Sequence, residues 1–119
     1  MKKLTMMFLI AFCAMQLSAE PQNGVVYVVP SGTGTGASWA DAMGNVQDAI
    51  NLARTQNPAA RKDVWVAGGV YEISVAINIV DSVNVYGSFS GNESSVAERQ
   101  RPANALPWMF SNPTILKGK

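Results

Sequence analysis

Histidine is absent from the 119 residues, and the single cysteine, Cys13, lies close to the start of the chain. The first absence excludes a Ser-His-Asp triad, a histidine-based zinc site and an imidazole general base from this chain alone. Charge is sparse as well, 14% of residues, with nine basic and eight acidic side chains and a formal balance of +1. No basic stripe of the kind that follows nucleic acid is present. The apolar content of 48% argues against disorder.

The opening segment has the three parts of a secretory signal peptide in order. Lys2 and Lys3 form a basic start, an apolar run extends from Leu4 to Met15, and Leu17-Ser18-Ala19 offers small residues before a cut ahead of Glu20. The run is well short of the roughly 20 apolar residues needed to cross a bilayer, so a cleaved signal over 1–19 is expected rather than an anchor. A lipoprotein cut before Cys13 is disfavoured by the bulky Phe12. Cleavage would leave seven basic against eight acidic residues, a balance of −1, and no cysteine for a disulfide. Residues 20–119 suffice for one small domain, and a secreted or cell-surface location is expected for it.

Within that domain, Val25 to Val29 is a continuous β-branched and aromatic run ended by Pro30, which reads as a buried strand. The tract from Ser31 to Gly36 reads as a loop. It lacks the Gly-Lys-Ser/Thr of a phosphate cradle and the Gly-x-Gly-x-x-Gly spacing, so a plain turn is expected there. Ser38 followed by Asp41 imitates a capping box, and a helix is expected from about Asp41 to Gln56, with Ala42, Val46, Ala49, Ile50 and Ala53 on one face and Asn57-Pro58 as its stop. Beyond Asp63 the period becomes two. Val64 and Val66, then Val75, Ile77 and Ile79, then Val83 and Val85 read as strands with one buried face.

A β-rich triplet closed by glycine recurs three times, as Val64 to Gly68, Val83 to Gly87 and Thr114 to Gly118, at intervals of 19 and 31 residues. Such spacing suits a stack of strands in which each turn adds one rung and tolerates an inserted loop. The chain has one cap and two or three rungs and ends at Lys119 just after the third triplet. A truncated frame or fragment with an open last edge is therefore the expectation.

The order Tyr27-Val28, Ser38-Trp39, Val46-Gln47-Asp48-Ala49-Ile50, Val64 to Tyr71 and Tyr86-Gly87-Ser88-Phe89-Ser90-Gly91-Asn92-Glu93, with Arg99 after it, resembles the N-terminal part of secreted bacterial right-handed parallel β-helix proteins of the pectate-lyase-like superfamily. The resemblance covers nearly all of residues 20–119. It implies a mainly β fold, the start of a right-handed parallel β-helix in which the first strand and an N-terminal amphipathic helix close the end of the coil. A Tyr-Gly-Gly-Phe-x-Gly-x-Glu stretch with a downstream Arg would then belong to the first full turns. This chain departs from that pattern at Ser88, where a second glycine is usual. The alternative architecture is a small β-sandwich with one helix; the helix between the first strand and the rest, and the glycine positions, favour the coil.

Three functions remain open at this level. The chain reads as a non-catalytic cap of an exported or surface β-helix protein with a glycan-contacting or adhesin-like role, as the same cap on a polysaccharide lyase or glycoside hydrolase whose catalytic carboxylates lie on later rungs, or as a small carbohydrate-binding domain. Expected partners are a polysaccharide or cell-surface glycan and the remaining rungs of a longer chain. No cofactor, metal or catalytic residue is expected here, because the acids stand singly in the sequence. Trp39, Tyr86 and Trp108 are the candidates for stacking on sugar rings. Trp108 is the one expected to be most exposed, although aromatic residues in strands more often serve as packing. Glu93 and Arg99 are expected to pin the inserted loop as a structural pair.

Overall fold

The computed structural model describes residues 24–56 and 62–119. The leader expected at 1–19, with Cys13, and the helix stop at Asn57-Pro58 lie outside the described residues. What is described is a sheet-rich domain with one helix and no closed barrel: β1 (Val25–Val28), α1 (Val46–Gln56), β2 (Lys62–Ala67), β3 (Gly69–Ile73), β4 (Val83–Phe89) and β5 (Thr114–Gly118). One sheet has the order β1-β2-β4 and the other pairs β3 with β5; every pairing is parallel.

The continuous apolar run in β1 has a simple cause: both faces of the three-stranded sheet are covered, as is usual where strands run parallel. Val26 and Val28, with Val64, Val66 and Val83, face α1 and pack with its Val46, Ala49, Ile50 and Ala53. Tyr71 of β3 closes this inner cluster. Its hydroxyl donates to the Ala67 carbonyl at 2.9 Å, and burial pushes its pKa up to about 12, so it remains a protonated donor. The opposite face carries Val25, Trp65 and Phe89, covered by Tyr27, Trp39, Tyr86 and Val96.

The helix begins later than the sequence suggests. Asn45, not Ser38, is the cap: its side-chain oxygen accepts from the Asp48 amide at 2.9 Å, and its carbonyl takes the Ala49 amide at 3.1 Å. The preceding residues are used on the free edge of β1. Tyr27 donates to the Gly36 carbonyl, and the Met43 amide donates back to the Tyr27 carbonyl, both at 2.9 Å, while Val29 donates to Met43 at 2.9 Å. Ser38 still accepts from the Asp41 amide at 3.2 Å, so the sequence signal marks a real turn, and the Asp41 carboxylate accepts from the amide and hydroxyl of Thr35 across the glycine-rich loop. Ala42 is buried even though it is not helical.

Val75 to Val80 forms no strand. Val75 is 78% exposed, and only Ile77 and Val80 reach the inner core. The side-chain amide of Gln47 substitutes for a neighbouring strand, accepting from the Asn78 amide at 2.6 Å and donating to the Asn78 carbonyl at 3.2 Å.

The triplet repeat is realised in part. Its first two copies lie in adjacent parallel strands, but Val64 faces Val85 and Trp65 faces Tyr86, two residues away from triplet-on-triplet alignment. The third copy lies in the other sheet, paired with Gly69 to Ile73. Between Trp65 and Ala67 the register shifts, because Gly87 and Ser88 of β4 stand opposite Val66 alone. Ser88 takes the strain of that bulge with φ 70°, a conformation glycine adopts freely. Ser88→Gly is therefore expected to stabilise the fold by about 0.5–1 kcal/mol, after the extra freedom of glycine in the unfolded chain is subtracted. Chemical denaturation would read this as a higher midpoint at unchanged slope; a lower midpoint would count against strain at Ser88.

Candidate functional site

The corner between β2 and β3 is a single residue, Gly68. A side-chain carbon there would stand 2.6 Å from the Asn112 carbonyl oxygen, and Gly69 follows at φ 136°. The connection between the neighbouring strands, from β4 to β5, is a long excursion over residues 90–113. Its two ends are tied to that same corner: Gly68 donates to the Phe89 carbonyl at 2.8 Å and Gly69 to the Pro113 carbonyl at 2.9 Å. The excursion carries most of the residues that the sequence marks as functional.

Glu93 is buried, with 5% of its surface accessible. Its carboxylate accepts from three successive backbone amides, Ser90 at 2.7 Å, Gly91 at 2.9 Å and Asn92 at 3.0 Å. Burial pushes its pKa up, but these amides favour the charged form and the net displacement is downward. Arg99 is bonded to the loop backbone instead, from Nε to the Val96 carbonyl and from an Nη to the Gly87 carbonyl, each at 3.0 Å. Its guanidinium lies 4.4 Å from the Phe110 ring centre, 5.5 Å from Phe89 and 5.8 Å from Tyr86. Burial and then the nearby Arg101 lower its pKa, while Glu93 acts in the other direction by attraction. The two residues expected to pair thus pin the excursion separately, each bonded to backbone rather than to the other.

Trp39 is half-buried. Its ring meets Tyr27 at 4.8 Å, Phe89 at 5.4 Å and Trp65 at 6.4 Å, and its indole N–H donates to the Glu93 carbonyl at 2.9 Å. Trp65 stacks on Phe89 at 4.8 Å. Trp39 is thus committed to the sheet face and to the loop, while Tyr86, also half-buried, lies under Arg99. Trp108 is 71% exposed and has no ring contact among the described residues. The three aromatic candidates therefore do not form one platform.

Sequence reasoning missed one juxtaposition. Asp48 of α1 and Glu72 of β3, 24 residues apart, line a common groove of about 240 Å³ with Asn45 and Ser74. Both carboxylates are exposed, and Glu72 lies 3.7 Å from the Lys119 ammonium. No pattern in the sequence signals this meeting, because it depends on β3 turning back beside the helix N-terminus. Among the described residues no group of three His, Cys, Asp or Glu is placed to hold a metal, and no helix is long and apolar enough to cross a membrane. Comparison with protein-family models, curated proteins and solved structures finds no match for the chain.

Proposed function

We propose that the chain is the N-terminal capping segment of an exported or cell-surface parallel β-helix protein, with no catalytic role of its own. The observation that carries this reading is the asymmetry of coverage. On the β1 side the edge is bonded to Gly36 and Met43 and the inner face is roofed by α1. On the far side β4 and β5 end their sheets, and Ile115 and Leu116 of β5 are exposed. Uniformly parallel pairing also supports a coil, since a β-sandwich is built from antiparallel sheets. The further rungs of a longer chain are the partner that this geometry suits. The glycan contact falls to Tyr86, a half-buried ring on the sheet face away from α1.

In a Cys13→Ser background, the pair Asp63→Cys and Asn84→Cys is expected to form a disulfide on oxidation, because those residues face each other in register and adjacent strands are about 4.8 Å apart. Cross-linking of Asp63→Cys with Tyr86→Cys in preference would overturn the register and with it the coil. The same protein, titrated with plant and host polysaccharides, is expected to show a saturable change in tryptophan fluorescence that Tyr86→Ala removes. A flat response to all of them would remove the glycan contact while leaving the cap.

A further inference from the structure

The tip of the excursion has a chemistry that a sugar platform does not explain. Leu106 to Met109 forms a tight turn closed by the Met109 amide on the Leu106 carbonyl at 2.9 Å, with Pro107 stiffening its first corner. Trp108 at the apex is flanked by Leu106, 51% exposed, and Met109, 44% exposed. Sugar recognition needs polar groups around the ring to take up hydroxyls; the immediate neighbours here are leucine, proline and methionine.

Charge supplies the second observation. After Glu98 the chain has no acid at all, yet it carries Arg99, Arg101, Lys117 and Lys119, four of its nine basic residues. Arg99 and Arg101 both lie on the Phe110 ring, at 4.4 and 4.7 Å, next to the turn in sequence. The two acids on the earlier limb are already engaged, Glu93 with three amides and Glu98 with the Ser94 amide. Lys119 is paired with Glu72, so the charge beside the turn is that of the two arginines gathered on Phe110. An apolar tip with an exposed tryptophan, preceded by these two cations, matches the two attractions that hold a peripheral protein on an anionic bilayer.

We propose that the 106–109 turn inserts into the headgroup layer of an anionic lipid surface, with Trp108 as its anchor and the exposed Arg101 facing the lipid phosphates. This goes beyond the capping reading and does not depend on it. The test is co-sedimentation of the full chain with vesicles of phosphatidylglycerol and phosphatidylcholine, and with phosphatidylcholine alone, comparing the parent with Trp108→Ala and Arg101→Ala. Any contribution of the apolar segment at 4–15 is common to all three proteins, so the differences between them report the tip.

Binding of the parent to the anionic vesicles is expected to weaken about fivefold in Arg101→Ala and to fall with added salt. Trp108→Ala is expected to lose affinity on both kinds of vesicle. Bromine placed on the acyl chains should quench the fluorescence that Trp108 adds to the parent spectrum. Equal binding by the parent and Trp108→Ala would overturn the proposal, as would no binding by the parent, or a Trp108-dependent response to a neutral polysaccharide with none to vesicles. Circular dichroism of each variant confirms that the exposed substitutions leave the fold in place.

Discussion

Ile50→Asp is expected to abolish the cooperative fold. Ile50 is fully buried at the centre of the helix face, between Val46 and Ala53, against the valines of β1 and β2. Losing its burial alone would cost about 2–3 kcal/mol, and a carboxylate placed there without a partner adds several more. A domain of this size has about 5–15 kcal/mol in total. The helix is also the roof over the inner face of β1 and β2, so its loss exposes Val26, Val28, Val64 and Val66 together. Far-UV circular dichroism with a thermal ramp should show no sharp transition, whereas Ile50→Val should cost only about 0.5–1.5 kcal/mol. A variant that melts like the parent would mean that α1 does not cover the sheet.

Glu93→Ala is expected to release the excursion while leaving the two sheets. The substitution removes one acceptor from three backbone amides, and a buried donor left unsatisfied costs about 1–3 kcal/mol. Opening of the loop also breaks the Trp39 indole bond to the Glu93 carbonyl, so Trp39 emission should shift to the red. Acid should imitate the substitution. The Glu93 pKa is lower in the folded protein than in the unfolded chain, so its contribution is fully present above the ordinary carboxylate range and is lost as pH falls through the folded value. Amide hydrogen exchange at Ser90, Gly91 and Asn92 is the direct readout: protection should be lost in Glu93→Ala at neutral pH, and in the parent only in acid. Unchanged protection in the variant would show that the loop is held by other contacts.

The parts of the fold that the sequence announces are those whose cause is local. β1 is visible as an unbroken apolar run because both faces of a parallel sheet are covered, β2 shows Val64 and Val66 at a period of two, and the helix face from Val46 to Ala53 shows its period directly. The helix starts later than Ser38 and Asp41 suggest because those two form a genuine turn, and nothing nearby in the sequence indicates that the following residues bond to the edge of β1. Val75 to Val80 alternates like a strand, yet its backbone partner is the Gln47 side chain, 31 residues earlier. The three glycine-closed triplets are alike in composition but differ in register and sheet, since pairing is decided by the corner at Gly68 and the bulge at Ser88. At the site, the exposure of Trp108 was legible from its proline-flanked context. The three amides around Glu93 and the meeting of Asp48 with Glu72 are products of the folded backbone alone.

Because the 90–113 excursion leaves the sheet beside Gly68 and returns beside Gly69, its interior is free to change without moving either strand that it joins. Each doubling of such a loop costs only about 0.6 kcal/mol in closure entropy. Length variation among descendants of this architecture should therefore collect in the excursion, while the one-residue corner at Gly68 stays constant. The same junction makes the excursion an exchangeable cassette, a natural place to graft a foreign recognition segment onto an otherwise unaltered scaffold.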